Sequence, residues 1–369
     1  MLLKFKPYVR VLLNEEELKV IISRPLEDGD VGEIFELTPL GRDIIKLLSE
    51  ATTIDEIKAK LGISTQNDLI EMNEIIDLLQ TERYIGVETE NLSSQYQDLE
   101  SIYGRVIPIW GEIETENHNR YQIQQSIMSK KVGIIGCGTL GMGIISKLIT
   151  SGVSEFILVD DDTVSRTNLT RQSSFILKDI GKSKVEVARQ YICDRTENPS
   201  VTIHNKRIKT MQDLSIFNNV DILVVASDEL GVDELVQEYG NDTKVPLSFS
   251  GGYTGSTGKI FPIVIPDKTH NYNCAHEYLY NVIGRDKKGF KDINNKFTIS
   301  SITSIAEFIV SISSFEILKY LTGVMRPYLI NKILFFNFAN YTIDEINIEN
   351  ENCNCITTEA IEGIYVKGE

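Results

Sequence analysis

The stretch "VGIIGCGTLGMGIISKLITSGVSEFILVDDD", residues 132–162, constrains this chain more than any other. An apolar run stops at a glycine turn, a segment with helical spacing follows, and a second apolar run ends in three acids. Such a strand–turn–helix–strand unit builds parallel sheets. Gly136, Gly138 and Gly141 form G-x-G-x-x-G at the mouth of the helix, where open backbone N–H groups and the helix dipole favour phosphate. Asp160 ends the second strand, where a carboxylate accepts hydrogen bonds from a ribose. These residues alone suit a nicotinamide dinucleotide, ATP, or a βαβ unit whose glycines serve only packing.

The next residues separate these readings. "VSRTNLTRQSSFILKDIGKSK" places Asn168, Arg171, Gln172 and Lys184 just beyond the ribose acid. That is more fixed positive charge and donor capacity than the neutral nicotinamide end of a dinucleotide requires, and it suits a triphosphate. Arg supplies a planar fork of donors and Lys a compact charge, a pairing that stabilises phosphates as pyrophosphate leaves. Further on, "DILVVASDELGVDELV" ends a strand with Asp228. A carboxylate at that sheet edge suits Mg2+ shared with substrate phosphates. As a strand-Ser-Asp-helix arrangement, Asp228 also fits a helix N-cap.

From Lys131 onward, strand candidates "KVGIIG", "EFILVD", "VTIHNKRI", "DILVVAS" and "VPLSFSGG" alternate with helical segments. This predicts an α/β fold with a Rossmann-like doubly wound sheet. With 369 residues, 42% hydrophobic and 24% charged, the chain has material for two or three globular domains. The N-terminus lacks the continuous apolar segment of a signal peptide. The greasiest stretch, 299–321, is interrupted by Glu307, Glu316 and Lys319 and reads as a core helix rather than a membrane span. A cytoplasmic protein without membrane partners is expected. The five cysteines do not suggest a disulfide framework.

The net charge of -16 argues against nucleic acid, whose binding needs Lys and Arg on phosphates. That matters for residues 1–90. An extended, hairpin-like segment precedes two helical segments with Thr38 and Thr53 as N-cap candidates, and a last strand lies near "YIGVE". This winged-helix outline usually reads DNA, yet it holds 6 Lys and 4 Arg against 19 acids. Residues 91–120 read as a polar linker with an ordered piece around Tyr103 to Trp110, and 121–369 as the ATP-binding domain.

The run Gly136-x-Gly138-x-x-Gly141, Asp160, "NLTRQ" at 168–172, Lys184 and Asp228 resembles the ThiF/MoeB adenylating enzymes, relatives of ubiquitin-activating enzymes. The resemblance covers roughly residues 100–345. It implies attack of a carboxylate on the ATP α-phosphate, a homodimer, and an arginine lent by the partner subunit. Within the family the chain is most similar to maturation enzymes of ribosomally made peptides, of the microcin C and pantocin A type. That likeness implies a leader-peptide recognition module at 1–90, a precursor peptide as partner, and Arg105, in "IYGRVIPIW", as the arginine reaching the partner's site. The adenylate is then captured by a nucleophile of the same peptide. Two other readings are an activator of a sulfur-carrier protein of the molybdopterin or thiamine type and a catalytically silent precursor-docking protein.

The chain departs from the family in two places. Thr139 stands where a glycine is common, tolerable with a negative φ or a more distant ligand. The two C-x-x-C pairs that hold zinc in many members are reduced to Asn271 and Cys274, flanked by His270 and His276, and to Cys353 and Cys355. Three thiolates and a histidine suffice for tetrahedral zinc, but little or no metal is the expectation here. Cys137 reads as a space-filler and Cys193 as a core residue. His118 and His204 lack partners for a triad.

Overall fold

The computed structural model describes residues 2–24, 31–87, 96–115, 117–283, 300–348 and 355. The chain divides into two units, Met1–Ile123 and Gln124–Glu369.

In the first unit, strands β1 (Leu3–Phe5), β2 (Arg10–Asn14), β3 (Lys19–Ser23), β4 (Glu33–Glu36) and β5 (Ile85–Val87) form two small sheets. β1 pairs antiparallel with β5, and β2-β3-β4 form an antiparallel sheet in that order. β3 turns Val20 and Ile22 inward, as a strand with one buried face does. Helices Pro39–Leu47, Ile54–Leu61 and Gln66–Thr81 cover them, with Ile44, Leu48, Ile57, Met72 and Ile76 in the shared core. Both expected caps form. Thr38 Oγ1 accepts from Gly41 N at 2.9 Å. Thr53 Oγ1 accepts from Glu56 N at 3.1 Å, while the Glu56 carboxylate accepts from Thr53 N at 2.9 Å, a complete capping box. Part of the segment read as a linker is helical, at Gln97–Tyr103 and Ile107–Gly111, and Trp110 is buried; residues 88–95 and 116 lie outside the described residues.

In the second unit, β6 (Lys131–Ile135), β7 (Glu155–Val159), β8 (Ser200–His204), β9 (Ile222–Val225) and β10 (Leu247–Phe249) run parallel in the order β10-β9-β6-β7-β8. Helices Thr139–Thr150, Lys184–Cys193 and Val232–Thr243 join them, giving the expected Rossmann-like doubly wound fold. All four β9 residues are buried, which explains why the central strands are uninterrupted apolar runs. After β10 the pattern changes. β11 (Gly252–Thr254), β12 (Thr257–Ile260), β14 (Lys332–Asn337) and β15 (Thr342–Asn347) make a separate antiparallel sheet, while β13 (Ile263–Val264) pairs antiparallel with β10.

The greasy stretch is helix Thr303–Thr322, packed on Thr139–Thr150 where Gly143 lets Val310 approach. Its buried Glu316 accepts from Lys319 Nζ and Leu329 N, each at 2.7 Å, so the charge is neutralised inside the fold. Cys193 is not a core residue: as the last residue of its helix it is exposed, and the neighbouring Ile192 takes the buried face. Among the described residues no helix is long and apolar enough to cross a membrane.

Candidate active site

The sheet topology fixes where a ligand can sit. From β6 the chain winds outward to β7 and β8 on one side and then returns to β9 and β10 on the other, so the connections diverge at the carboxyl ends and open a crevice. A cavity of about 920 Å3 lies there. Gly136, Gly138, Asp160, Asn168, Arg171, Gln172, Lys184 and Asp228, separated by up to ninety-two positions in sequence, all line it. Gly141 does not line the cavity. It seats the helix on the turn, since a Cβ there would stand 1.8 Å from Gly136 O. Gly136 itself has φ +93, and a Cβ on it would meet Ala226 O at 2.6 Å.

Gly138 caps helix Thr139–Thr150 with no side-chain hydrogen bond and no acid in the first turn, leaving the helix N–H groups available to an anion. Thr139 is the first helical residue and lies outside the positive-φ set, so the departure from glycine costs no backbone strain. Asp160 ties the turn to the sheet: Oδ2 accepts from Cys137 N at 2.7 Å and Oδ1 from Asp162 N at 2.8 Å. Each oxygen keeps a lone pair for further donors. Cys137 is fully buried, and burial pushes its thiol well above the ordinary range, so it is the neutral space-filler its position in the turn suggested.

Asn168 and Arg171 are held by the short 3-10 turn Arg166–Thr170. Asn168 Oδ1 accepts from Ser165 N at 2.8 Å, and Arg171 Nη1 donates to Thr167 O at 3.1 Å. Gln172 is 5% exposed, and its side-chain Oε1 has no hydrogen-bond partner among the described residues. An orphaned buried acceptor costs about 1–3 kcal/mol, which a bound donor would recover. Lys184 is 7% exposed, and its Nζ meets Asp162 Oδ2 at 2.7 Å. Asp228 is exposed and makes no hydrogen bond or ion pair among the described residues. The N-cap of the next helix is Gly231, φ +85, so Asp228 does not serve as that cap.

Sequence reasoning missed Lys206, Arg207, Asp161 and Glu229, which also line the cavity. Lys206 and Arg207 follow β8 as Asp160 follows β7, so the same strand-end argument would have found them. Arg105 belongs to the first unit, exposed in the turn between helices Gln97–Tyr103 and Ile107–Gly111. Elsewhere in the second unit, His270, Cys274 and Cys355 place one donor atom each within 4.8 Å of one another. Cys274 Sγ lies 3.4 Å from Cys355 Sγ, which lies 3.8 Å from His270 Nδ1. Asn271, in the place of a first cysteine, instead accepts from Cys274 N at 2.9 Å. Cys353 lies outside the described residues.

The NEDD8-activating enzyme E1 catalytic subunit of Dictyostelium discoideum is 29% identical over 200 residues, 50% of this chain and 45% of that protein. A probable molybdopterin-synthase adenylyltransferase of Porphyra purpurea is 24% identical over 227 residues, 61% of this chain and 56% of that protein. The chain thus spans about half the length of these curated relatives. Its fold is that of E. coli MccB solved with AMPCPP and MccA, with TM-score 0.77 and 22% identity, covering 97% of this chain and 100% of that one. MccB has also been solved with ATP and, as the microcin C7 biosynthetic enzyme, with N-formylated MccA. The ThiF family model matches residues 103–357, the whole span that builds the sheet and cavity, and the chain belongs to the ThiF family.

Proposed function

We propose that this chain is an ATP-dependent enzyme that adenylates a carboxyl group of a ribosomally synthesised precursor peptide. The observation that carries the reading is the joining, in one cavity, of a phosphate-binding turn with Asp160, Arg171, Gln172 and Lys184. The helix N-terminus at Gly138 cradles phosphate, Asp160 accepts from the ribose hydroxyls, and Arg171 with Lys184 neutralises the triphosphate. The peptide carboxylate attacks the α-phosphorus. An O–P bond forms, the bond from the α-phosphorus to the bridging oxygen breaks, and pyrophosphate leaves with the electron pair. A nitrogen or carbon nucleophile of the same peptide then captures the acyl carbon and AMP departs, as in biosynthesis of a peptide-derived antibiotic.

Asp228, exposed and without a hydrogen-bond or ion-pair partner among the described residues, fits Mg2+, a hard cation that supplies charge neutralisation when shared with phosphate oxygens. Arg105 acts in trans within a homodimer, and its exposure is what that role requires. The first unit binds the leader segment: deleting residues 1–90 should abolish tight precursor binding and leave nucleotide binding, and unchanged affinity would remove that role.

A sulfur-carrier activator is the second reading, favoured by the similarity to a molybdopterin-synthase adenylyltransferase. A silent docking protein is disfavoured by the presence of Arg171, Lys184 and Asp228 together in the cavity. Purified protein given ATP, Mg2+ and the peptide encoded by a short reading frame beside its gene should release pyrophosphate in step with peptide consumed. Nucleotide binding without peptide-dependent pyrophosphate would leave only docking, and stimulation by a diglycine-tailed carrier protein would favour the second reading.

A further inference from the structure

The cavity has a closure that its phosphate-binding parts do not require. Arg207 follows β8 and Glu229 follows β9, strands that the sheet separates by β7 and β6. Three interstrand spacings amount to about 14 Å. Yet Arg207 Nη1 lies 3.5 Å from Glu229 Oε1, and Arg207 Nε donates to Asp161 Oδ2 at 3.1 Å. One guanidinium therefore joins loops from three strand ends, passing across the carboxyl edges of the two strands that carry the glycine turn and Asp160. All three side chains line the cavity, and all three are partly exposed, at 46%, 39% and 34% for Arg207, Asp161 and Glu229, so they stand at its mouth. The two carboxylates stabilise the guanidinium charge, raising its pKa further above the ordinary arginine value. On the Glu229 side little packing holds the loop: Leu230 is almost wholly exposed, and Gly231, φ +85, stands directly before helix Val232–Thr243.

We infer that Arg207, Asp161 and Glu229 form an ionic latch across the mouth of the nucleotide cavity, which opens to admit ATP and slows escape of ATP and of the acyl-adenylate. The inference rests on the adenylation reading above. A covalent intermediate awaiting capture by its own chain gains from slow release, because lost adenylate consumes ATP without product. Arg207 is a retaining residue in this account, distinct from Arg171 and Lys184, which face the phosphates.

The test is the dissociation rate of a fluorescent ATP analogue, measured by displacement with excess ATP, for the full chain and for Arg207→Gln, Glu229→Gln and the double variant. Each single variant should release nucleotide about fivefold faster, equivalent to about 1 kcal/mol, with the double variant little faster than either single. Raising ionic strength should narrow the gap between wild type and Arg207→Gln, because exposed ion pairs are screened. Wild-type binding with unchanged release in both single variants, or fully additive effects in the double variant, overturns the latch while leaving the adenylation reading intact. Failure of the wild type to bind any adenine nucleotide overturns both.

Discussion

Replacing Lys184 by Met separates chemistry from folding. The Lys184 stem is buried, so Met fills most of its space, and the ammonium is the only polar group removed. Its partner Asp162 has a side chain 62% exposed, so the orphaned carboxylate rehydrates instead of being trapped. The lost pair is then worth at most about 1 kcal/mol, partly offset because no charge is buried any longer. For a chain of this size the thermal midpoint should fall by less than about 4 °C. Chemistry should suffer far more. A fixed cation facing phosphates as charge develops is worth about 3–4 kcal/mol, so peptide-dependent pyrophosphate release should slow by about 10²–10³-fold, mainly in kcat. Turnover within about threefold of wild type, in a variant that folds normally, would refute the assignment of Lys184 to the phosphates.

Mixing inactive Arg105→Ala with inactive Lys184→Met should restore part of the activity, because a hybrid dimer contains one site with both residues; no recovery despite demonstrated subunit exchange would place Arg105 outside the partner's site. Metal analysis of the purified protein should find little or no zinc; about one equivalent per chain, with a thermal midpoint that a chelator lowers because ligation adds to folding free energy, would contradict that expectation. Burial raises the carboxyl pKa of Asp233, with Glu234 adding to the effect and the Tyr272 hydroxyl, 2.9 Å away, opposing it. The folded state therefore keeps a proton that the unfolded chain releases at lower pH, and stability falls as pH rises through that interval. Asp233→Asn can still accept from Tyr272 and should be the more stable protein above the interval, with the difference vanishing in acid. Thermal midpoints from about pH 4 to about pH 8 would show this, and identical pH dependence in both proteins would contradict it.

The parallel sheet is legible in sequence because strands buried on both faces leave unbroken apolar runs between turn signals. Thr38 and Thr53 are legible as caps because their geometry is local. Gly136, Asp160 and Asp228 are legible because each sits at or just beyond a strand end, where an open sheet collects ligands, whereas Arg171 and Lys184, on a short 3-10 turn and at a helix start, are legible only through the run of residues they belong to. The antiparallel sheet β11-β12-β14-β15 is not. Its strands are short, β15 exposes most of its residues, and β12 and β14 are far apart in sequence. The strand-end position of Arg207 is legible in sequence, but its pairing with Glu229 is not, because only the fold brings their loops together across two intervening strands. Sequence left His270 and His276 equivalent beside Cys274, and the fold separates them by placing the His270 ring beside Cys355, eighty-five positions away.

The central claim is that a peptide carboxylate attacks the ATP α-phosphorus, and oxygen isotope transfer tests it most directly. With both oxygens of the acceptor carboxyl of the precursor peptide labelled with heavy oxygen, capture of the acyl carbon breaks its bond to the phosphate-linked oxygen. Mass spectrometry should then find one heavy oxygen in every AMP formed and unlabelled pyrophosphate. AMP free of label, or ADP and phosphate as the nucleotide products, would contradict the account.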